Sequence, residues 1–310
     1  MTKEEHHVVY VSDRAYRPYV DVSAASVRHS ATGRVSVHVI DVDEPEIAER
    51  IASFPNYHGS RATFAKLLIP DVLPDVDWAL YLDGDTLALG DVCEVFARCD
   101  ESKLIVGSRD PENFNLGPND ETPWLKSRGL SCAVKICAGV MLMNLKAMRE
   151  EKVLAQCLAF FERHGIPPLN EQTALNCVCA GRIGLLPPQW GVFSMCPEDV
   201  DFTKSVIIHY PQDLPWRREK LNKLMHDFVW LWWKFAAAQR VKLDAGRAGG
   251  VGFLWRRWAF LAIRCCPWLV TWSPYLRARL RPLHGLTRDE RLIVLSRWSS
   301  SAARPGGGGR

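Results

Sequence analysis

The sequence lacks a long hydrophobic run. None of its apolar stretches reaches the roughly 18 uncharged residues that a membrane-spanning helix needs. The segment from Met1 to His7 is polar, and no apolar stretch of the secretory type follows it, so we expect no secretory signal. These absences favour a cytoplasmic protein without a spanning segment.

Paired Cys-x-x-Cys units are absent too, although the chain contains ten cysteines. Without such pairs the sequence predicts no structural zinc site. Cys177 and Cys179 stand close together, but in apolar surroundings, where a free thiol packs as a small hydrophobic side chain. We therefore expect free cysteines and a reducing compartment.

The 310-residue chain has room for one large α/β domain with an appendage, and its 47% of apolar residues supports a packed core. The net charge of +4 conceals an asymmetry. From Leu214 to Arg310 there are 19 Lys and Arg against 5 Asp and Glu, a balance of +14, so the rest carries −10. A basic last third on an acidic body predicts an anionic partner, either nucleic acid or anionic lipid.

The beginning of the chain alternates between strand and helix patterns. Val8–Val11 and Val35–Ile40 are β-type runs, whereas Val20–His29 and Ile47–Phe54 have helical spacing. This β-α-β-α order predicts a doubly wound, parallel sheet. Similar patterns further along predict helices at 61–70, 145–164 and 170–180, strands at 78–82, 103–107, 134–144 and 205–211, and a surface loop at 111–126.

Two carboxylates interrupt the apolar sequence directly after the strand Trp78–Leu82. Asp83 and Asp85 are separated by Gly84, and apolar residues resume at Leu87. Burying two acids is costly unless a cation compensates them, and carboxylate oxygens suit Mg2+ or Mn2+ carrying a phosphate. Gly84 would let a ligand approach the backbone. The alternative is a polar turn, because Asp-Gly is also a common turn dipeptide.

Other polar residues follow the predicted strands. Asp13 follows the first strand, Tyr16 comes soon after, and His209 ends the last strand. Because ligands bind at the carboxyl ends of strands in open α/β sheets, Asp13 would hold a ribose or base, and Tyr16 would stack on it. In a parallel sheet these strand ends share one edge, so we expect Asp13, Asp83, Asp85 and His209 to converge there. Two Asp and one neutral His form a shell suited to Mn2+. The alternatives are a helix N-cap for Asp13 and a satisfied strand-end histidine for His209.

Two cations, Arg61 and Lys66, lie just upstream of the paired acids. Each could pair with Asp83 or Asp85, or with a bound diphosphate. The alternative for each is a solvated helix face.

The last third of the chain changes character. Residues 253–264 mix Trp and Phe with Arg after a Gly-rich hinge at 246–252, and a Trp-rich stretch at 228–238 has helical spacing. Trp and Arg on an amphipathic segment predict a helix lying in an anionic membrane surface. The alternative is a helical cap docked on the domain. No nucleic-acid-binding motif is present, and residues 299–310 form a low-complexity tail that we expect to be disordered.

From Val8 to Trp216 the sequence resembles glycosyltransferase family 8, the retaining α-glycosyltransferases that include bacterial lipopolysaccharide galactosyl- and glucosyltransferases. The resemblance rests on an ordered set of motifs rather than on any single one. They are Val8–Tyr16, Ala62–Pro70, Tyr81–Asp85, Ala138–Leu145, Asn170–Gln172, His209–Pro211 and Pro215–Trp216.

The resemblance implies a single Rossmann-like domain of the GT-A type, α/β in class, with a mixed, mostly parallel sheet. That catalytic domain would span residues 1–218, with a helical, basic and Trp-rich membrane-associating extension at 219–298 and the tail at 299–310. The implied activity is metal-dependent transfer of galactose or glucose from a UDP-sugar, with Mn2+ or Mg2+, to a saccharide or lipid-linked acceptor in lipopolysaccharide or cell-surface glycan synthesis. The protein would lie peripherally at the inner face of the plasma membrane.

The resemblance also implies residue roles. Asp83, Asp85 and His209 would bind the metal, Asp83 also lying near the ribose. The UDP-sugar would be held by Val11, Asp13, Tyr16, Lys66, Asp83, Asp110 and Cys137. Gln172 would lie beside the anomeric carbon, and Glu171 would be the candidate nucleophile if a covalent intermediate forms; we favour attack on the face that the diphosphate leaves.

This chain departs from the family pattern at three places. Cys137 stands where the family commonly has Asn, Glu171 replaces an Asp, and Leu214 stands where a phosphate-binding Lys is usual. The departures at Cys137 and Leu214 favour, as an alternative, a non-catalytic nucleotide-sugar-binding protein on a degenerate transferase fold. A nucleotidyltransferase is a further alternative, but no Gly-rich, Lys- or Arg-bearing loop follows the first strand.

Overall fold

The computed structural model describes residues 5–56, 61–110, 120–193, 205–211 and 214–216, together with Trp232, Phe235 and Ala236. The Gly-rich hinge, the Trp- and Arg-rich segment at 253–264 and the tail at 299–310 lie outside the described residues. So does most of the predicted loop at 111–126 and most of the stretch at 228–238.

The predicted β-α-β-α beginning is confirmed. Strand β1 (Glu5–Ser12) leads into helix α1 (Arg17–Ser30), and strand β2 (Arg34–Asp41) leads into helix α2 (Pro45–Arg50). Helix α1 buries one face, with Val20 and Val27 fully inaccessible. The strand-helix-strand unit therefore fixes the end of β1, and with it Asp13, against the sheet.

The segment before the paired acids is helical but broken. Helix α3 (Ala62–Ala65), a 3-10 turn (Lys66–Leu68) and helix α4 (Ile69–Val72) follow one another directly. The prediction that the helix stops at Pro70 is wrong. Pro70 lies in the first turn of α4, where its missing N–H removes no helical hydrogen bond.

The middle of the chain supplies the central strands. Strand β3 (Trp78–Leu82) has the predicted bounds, β4 (Thr86–Ala88) follows the paired acids, and a 3-10 turn (Val92–Arg98) precedes β5 (Ile105–Arg109). Part of the predicted loop is instead helix α5 (Thr122–Lys126).

The second half begins with a long buried strand that is followed by three helices. Strand β6 (Ile136–Asn144) leads into α6 (Leu145–Glu150), α7 (Val153–His164) and α8 (Asn170–Val178). The single helix predicted at 145–164 is divided at Lys152, whose φ of 54° is left-handed and incompatible with a continuous helix. The remaining elements are β7 (Ile183–Leu185), a 3-10 turn (Pro188–Trp190), β8 (Val192–Phe193) and β9 (Ile207–His209).

The main sheet has the order β2-β1-β3-β6-β5-β7. Only β6 runs against its neighbours β3 and β5, and the other pairings are parallel. This confirms a mixed, mostly parallel sheet. All nine residues of β6 are buried, which explains why its sequence is a continuous apolar run rather than an alternating one.

A second, three-stranded sheet has the order β4-β9-β8. Strand β9 is antiparallel to β4 and parallel to β8. The expectation that His209 shares one parallel-sheet edge with Asp13 and Asp83 is therefore wrong, since His209 arrives from this second sheet. Its strands have two or three residues each, too few for a sequence pattern to assign them to a separate sheet.

A small aromatic cluster joins the first residues after β9 to helix α1. Trp216 stacks on Tyr19 with ring centroids 3.9 Å apart, and Trp232 lies 5.2 Å from Trp216. Trp232, Phe235 and Ala236 are buried, so these residues of the predicted extension pack against the α/β body. Within the described residues, no helix is long and apolar enough to cross a membrane. The domain boundary at residue 218 stays a prediction.

The prediction of free thiols is confirmed for the described part of the chain, where the seven cysteines form no disulfide. Cys157 and Cys179 are buried, whereas Cys177 is half-buried, with its Sγ 3.0 Å from the Sγ of Cys132.

Arg149 on α6 ties the loop before β3 to the rest of the fold. Its guanidinium donates to the carbonyl oxygens of Pro70, Leu73 and Val76 at 3.0–3.2 Å. We expect Arg149→Met to lower the free energy of unfolding by about 2 kcal/mol, because charged hydrogen bonds to half-buried carbonyls are lost. Arg163→Met, at an exposed position of α7, is the control. Equal urea midpoints for the two variants would contradict this role.

Candidate active site

The paired acids lie where the two sheets meet. The backbone N–H of Asp83 donates to the Gly139 carbonyl of β6 at 2.9 Å, and the Asp85 carbonyl accepts from the N–H of Tyr210 at 2.9 Å. Asp83 is half-buried and Asp85 is buried. The turn between β3 and β4 is thus held on both sides, and two carboxylates are fixed at one edge of the main sheet.

Gly84 serves a different purpose from the one predicted. A Cβ atom there would lie 2.6 Å from Cγ2 of Val20 and 3.2 Å from the ring of Tyr16. The glycine therefore allows helix α1 to pack against the turn, and the prediction that it opens the backbone to a ligand is wrong.

His209 approaches the acids from β9. Its side chain is 2% exposed, and its Nε2 lies 3.3 Å from Oδ1 of Asp85 and 3.7 Å from Oδ2 of Asp83. The ring passes directly over Gly139, where a Cβ atom would lie 2.2 Å from Cε1. A glycine inside a strand often marks a point of close approach, and the group that approaches Gly139 is the imidazole.

These three side chains fit a divalent cation. Their ligand atoms all lie within 4.8 Å of one another. The His209 Nε2 atom is buried without a hydrogen-bond partner, and an unsatisfied buried nitrogen is costly unless it serves another group. Two carboxylates and one imidazole suit Mn2+ or Mg2+.

The pKa of His209 also shows that the two acids require a positive charge. Burial alone would lower the pKa of His209, but Asp85 and Cys137 together outweigh it and raise that pKa well above its ordinary value. Without a metal, a protonated imidazole therefore supplies the positive charge that the two acids require.

Lys66 lies behind Asp83 and is buried. Its Nζ is 2.8 Å from Oε1 of Glu171 and 3.3 Å from Oδ1 of Asp83. Burial opposes the charge on Lys66, but Asp83 and Glu171 together raise its pKa well above its ordinary value. The structure thus confirms the predicted pairing of Lys66 with Asp83, whereas Arg61 donates to the Phe54 carbonyl at 3.0 Å instead.

Tyr81 is a residue that the sequence reasoning missed. Its hydroxyl donates to Oδ1 of Asp83, the oxygen that Lys66 also contacts. With Oδ1 held in this way, Oδ2 is the oxygen that faces His209. Because side chains two residues apart share one face of a strand, the Tyr-x-Asp spacing could have predicted this contact.

Gln172 is fixed by both ends of its amide. Its Oε1 accepts from the backbone N–H of Ala138 at 2.9 Å, and its Nε2 donates to Oδ2 of Asp110 at 3.2 Å. Asp110 is buried, and its own N–H donates to the Lys135 carbonyl. Helix α8, strand β6 and the end of β5 therefore bring Gln172 and Asp110 together, next to the Lys66–Glu171 pair.

The predicted nucleotide residues lie at the end of β1. Val9 of β1 is aligned with Tyr81 of β3 in a parallel pairing, so both strands end at the same edge. Asp13 accepts from the N–H of Tyr16 at 2.6 Å and so closes the turn before α1, whose N-cap residue is Tyr16 rather than Asp13. Tyr16 meets the ring of Trp216 edge to face at 5.4 Å. Val11 is half-buried. The nucleotide-binding roles of Val11, Asp13 and Tyr16 stay predictions.

Cys137 is buried beside the metal-type cluster. Its Sγ lies 3.8 Å from Nδ1 of His209, on the opposite side of the ring from the carboxylates. Its predicted contact with the donor sugar stays a prediction, and its observed contact is with the histidine.

The mixed, mostly parallel sheet, with two acids at its edge and a histidine from the second sheet beside them, has a GT-A-like fold. The sequence model of glycosyl transferase family 8 matches residues 50–220, more than half of the chain. The chain therefore belongs to glycosyltransferase family 8.

Solved structures share the fold. A galactosyltransferase LgtC in complex with donor and acceptor sugar analogues is 19% identical with a TM-score of 0.60, covering 77% of this chain and 97% of that one. The apo form of the glycosyltransferase GlyE of Streptococcus pneumoniae is 20% identical with a TM-score of 0.54, covering 75% and 60%.

Curated relatives carry the same family name or activity. A putative glycosyltransferase of Haemophilus influenzae is 22% identical, covering 64% of this chain and 66% of its own length. A glycosyltransferase 8 domain-containing protein 1 of Danio rerio is 28% identical, covering 45% and 41%. The chain thus spans about two thirds or less of the length of these relatives.

The fit of His209 over Gly139 can be tested directly. We expect Gly139→Ala to weaken Mn2+ binding at least 100-fold, because the added methyl group occupies the position of the imidazole. Titration calorimetry without a sugar donor measures this. Gly184→Ala, where a Cβ would lie 3.3 Å from the methyl groups of Val106 and 3.7 Å from Cγ of Lys103, is the control. Unchanged Mn2+ affinity in a folded Gly139→Ala protein would exclude His209 as a ligand.

Proposed function

We propose that the protein is a retaining, metal-dependent glycosyltransferase that moves galactose or glucose from a UDP-sugar to a saccharide or lipid-linked acceptor in lipopolysaccharide or cell-surface glycan synthesis. The observation that carries the proposal is the buried Nε2 of His209, which faces Asp83 and Asp85 so that the three ligand atoms all lie within 4.8 Å of one another. Membership of family 8 and the fold shared with a galactosyltransferase support the type of reaction.

Asp83, Asp85 and His209 would hold Mn2+ or Mg2+. When bound, the ion supplies Lewis-acid stabilisation of the diphosphate leaving group. The chain itself orients the ligands: Lys66 and Tyr81 hold one oxygen of Asp83 and leave the other facing His209. Partners of this kind keep ligands in a productive geometry and avoid reorganisation during the reaction.

The surroundings of Glu171 argue against a covalent sugar intermediate. Its carboxylate is 7% exposed and forms a 2.8 Å ion pair with Lys66, which reduces its nucleophilicity. Gln172 is a neutral amide and a poor nucleophile. We therefore favour same-face attack, in which the bond from the anomeric carbon to the phosphate oxygen breaks and the acceptor oxygen forms the new bond. The acceptor proton passes to the departing phosphate, and the Gln172 amide stabilises the positive sugar.

The acid pair tests the proposal. We expect Asp85→Asn to reduce Mn2+-dependent release of UDP from UDP-galactose or UDP-glucose at least 100-fold, because a metal ligand and its charge are lost. The control is Asp21→Asn, which removes a carboxylate from an exposed pair with Arg17. Release of UDP measures the activity. If the wild-type protein with Mn2+ binds UDP-sugars but releases no UDP, the non-catalytic alternative is correct.

We also propose that the chain binds an anionic membrane surface through residues 253–310. The support is the balance of +14 after Leu214 and the mixture of Trp and Arg at 253–264. Trp232 is buried in the α/β body, so the membrane segment is assigned to residues beyond it. In this proposal the protein lies at the inner face of the plasma membrane.

Removing residues 253–310 should abolish co-sedimentation with phosphatidylglycerol vesicles, because the basic and aromatic side chains are lost together. Neutral phosphatidylcholine vesicles are the control, and the thermal unfolding curve checks that the shortened protein folds. Undiminished binding by the shortened protein would refute this role of the segment.

A further inference from the structure

The two ring nitrogens of His209 have different surroundings. Nε2 faces the carboxylates of Asp83 and Asp85, as described above. Nδ1 lies on the other side of the ring, 3.8 Å from Sγ of Cys137, a distance at which sulfur takes part in a hydrogen bond. Both residues are almost inaccessible, with Cys137 7% and His209 2% exposed.

We propose that Cys137 is a positioning residue for the metal site: its Sγ accepts a hydrogen bond from Nδ1–H of His209 and so leaves the Nε2 lone pair directed at the cation. The inference deepens the proposed function, since it rests on the same metal site. A neutral imidazole carries its proton on one nitrogen only, and the partner of the second nitrogen decides which nitrogen can bind a metal.

On the side of the ring away from the carboxylates, the polar contact of His209 is with Cys137. Gly139 lies against the ring near Cε1, and the ring of Phe193 lies 5.4 Å away at 46°. These contacts fix the position of the imidazole, but carbon surfaces do not distinguish a ring nitrogen from a ring carbon. A half-turn of the ring would exchange Nδ1 with Cδ2 and Nε2 with Cε1. The Cys137 contact stabilises the orientation in which Nε2 faces the acids.

The geometry also shows that Cys137 is placed to hold His209 rather than to bind the metal through its thiol. Sγ lies beside Nδ1, whereas the cation would lie beyond Nε2, between the two carboxylates. The two lone-pair directions of an imidazole point away from each other. Cys137 therefore acts through His209 and contributes no metal–sulfur bond.

Substitutions at Cys137 test the inference by metal affinity without a sugar donor. We expect Cys137→Ala to weaken Mn2+ binding 10- to 100-fold, the effect typical of losing an outer-shell partner. Cys137→Ser keeps a hydrogen-bond acceptor at this position and should restore most of the affinity. Cys157→Ala, at a fully buried thiol in the main hydrophobic core, is the control and should bind Mn2+ like the wild type.

Nuclear magnetic resonance tests the same inference without a substitution. In wild-type protein loaded with diamagnetic Mg2+, the ring nitrogens of His209 should show the proton on Nδ1, assigned by comparison with a His209→Gln protein. A proton on Nε2, or Mn2+ affinity in Cys137→Ala equal to the wild type, would overturn the inference. So would a folded Cys137→Ser protein that binds Mn2+ as weakly as Cys137→Ala.

These readouts separate the inference from the proposed function. If Cys137→Ala loses Mn2+ affinity but the wild type releases no UDP from any UDP-sugar, the transferase proposal fails and the role of Cys137 stands. If the wild type binds neither Mn2+ nor Mg2+, both fail.

Discussion

The structure depends on the compensation of buried carboxylates at one edge of the main sheet. Asp83, Asp85 and Glu171 converge there from β3 and α8, and two of them are buried. Isolated charges in such a position would be expelled or neutralised. Lys66 forms ion pairs with Asp83 and Glu171 on one side of the cluster. On the other side, the imidazole of His209 lies against Asp83 and Asp85. The helical segment before β3 supplies Lys66 and the second sheet supplies His209, so both elements contribute to this compensation.

Much of this arrangement could be predicted from the sequence. The alternation of β-type and helical patterns gave the start of the main sheet, and the apolar run before Asp83 gave β3 with its observed bounds. The spacing of Asp83 and Asp85 indicated a cation site without any tertiary information. These signals are local, because they depend on side-chain period and on the cost of burying charge.

What the sequence did not predict depends on long-range pairing. Nothing within the three residues of β9 shows that it pairs with β4 rather than with the main sheet, so the direction from which His209 arrives was missed. The function of Gly84 depends on Val20 and Tyr16, more than 60 residues earlier. The contact of Cys137 with His209 joins residues 72 positions apart. Each of these facts follows from shape complementarity between distant segments, which composition and periodicity do not encode.

The charge balance of the site explains how metal, donor and protein depend on one another. Three carboxylates face one lysine, so a divalent cation with a neutral His209 brings the cluster close to neutrality. A proton on His209 adds only one positive charge, so it neutralises the cluster less completely than a divalent cation does. A diphosphate would then add negative charge that Lys66, already paired with two carboxylates, does not offset.

The sequence indicates where the further positive charge would come from. Leu214 occupies the position at which the family usually places a phosphate-binding lysine, but Arg217, Arg218 and Lys220 follow directly after Trp216. Trp216 is itself anchored by stacking on Tyr19 of α1, at the side of the molecule where Tyr16 lies beside the turn of the paired acids. The stacking of Trp216 on Tyr19 therefore fixes the part of the chain that immediately precedes these three cations beside helix α1.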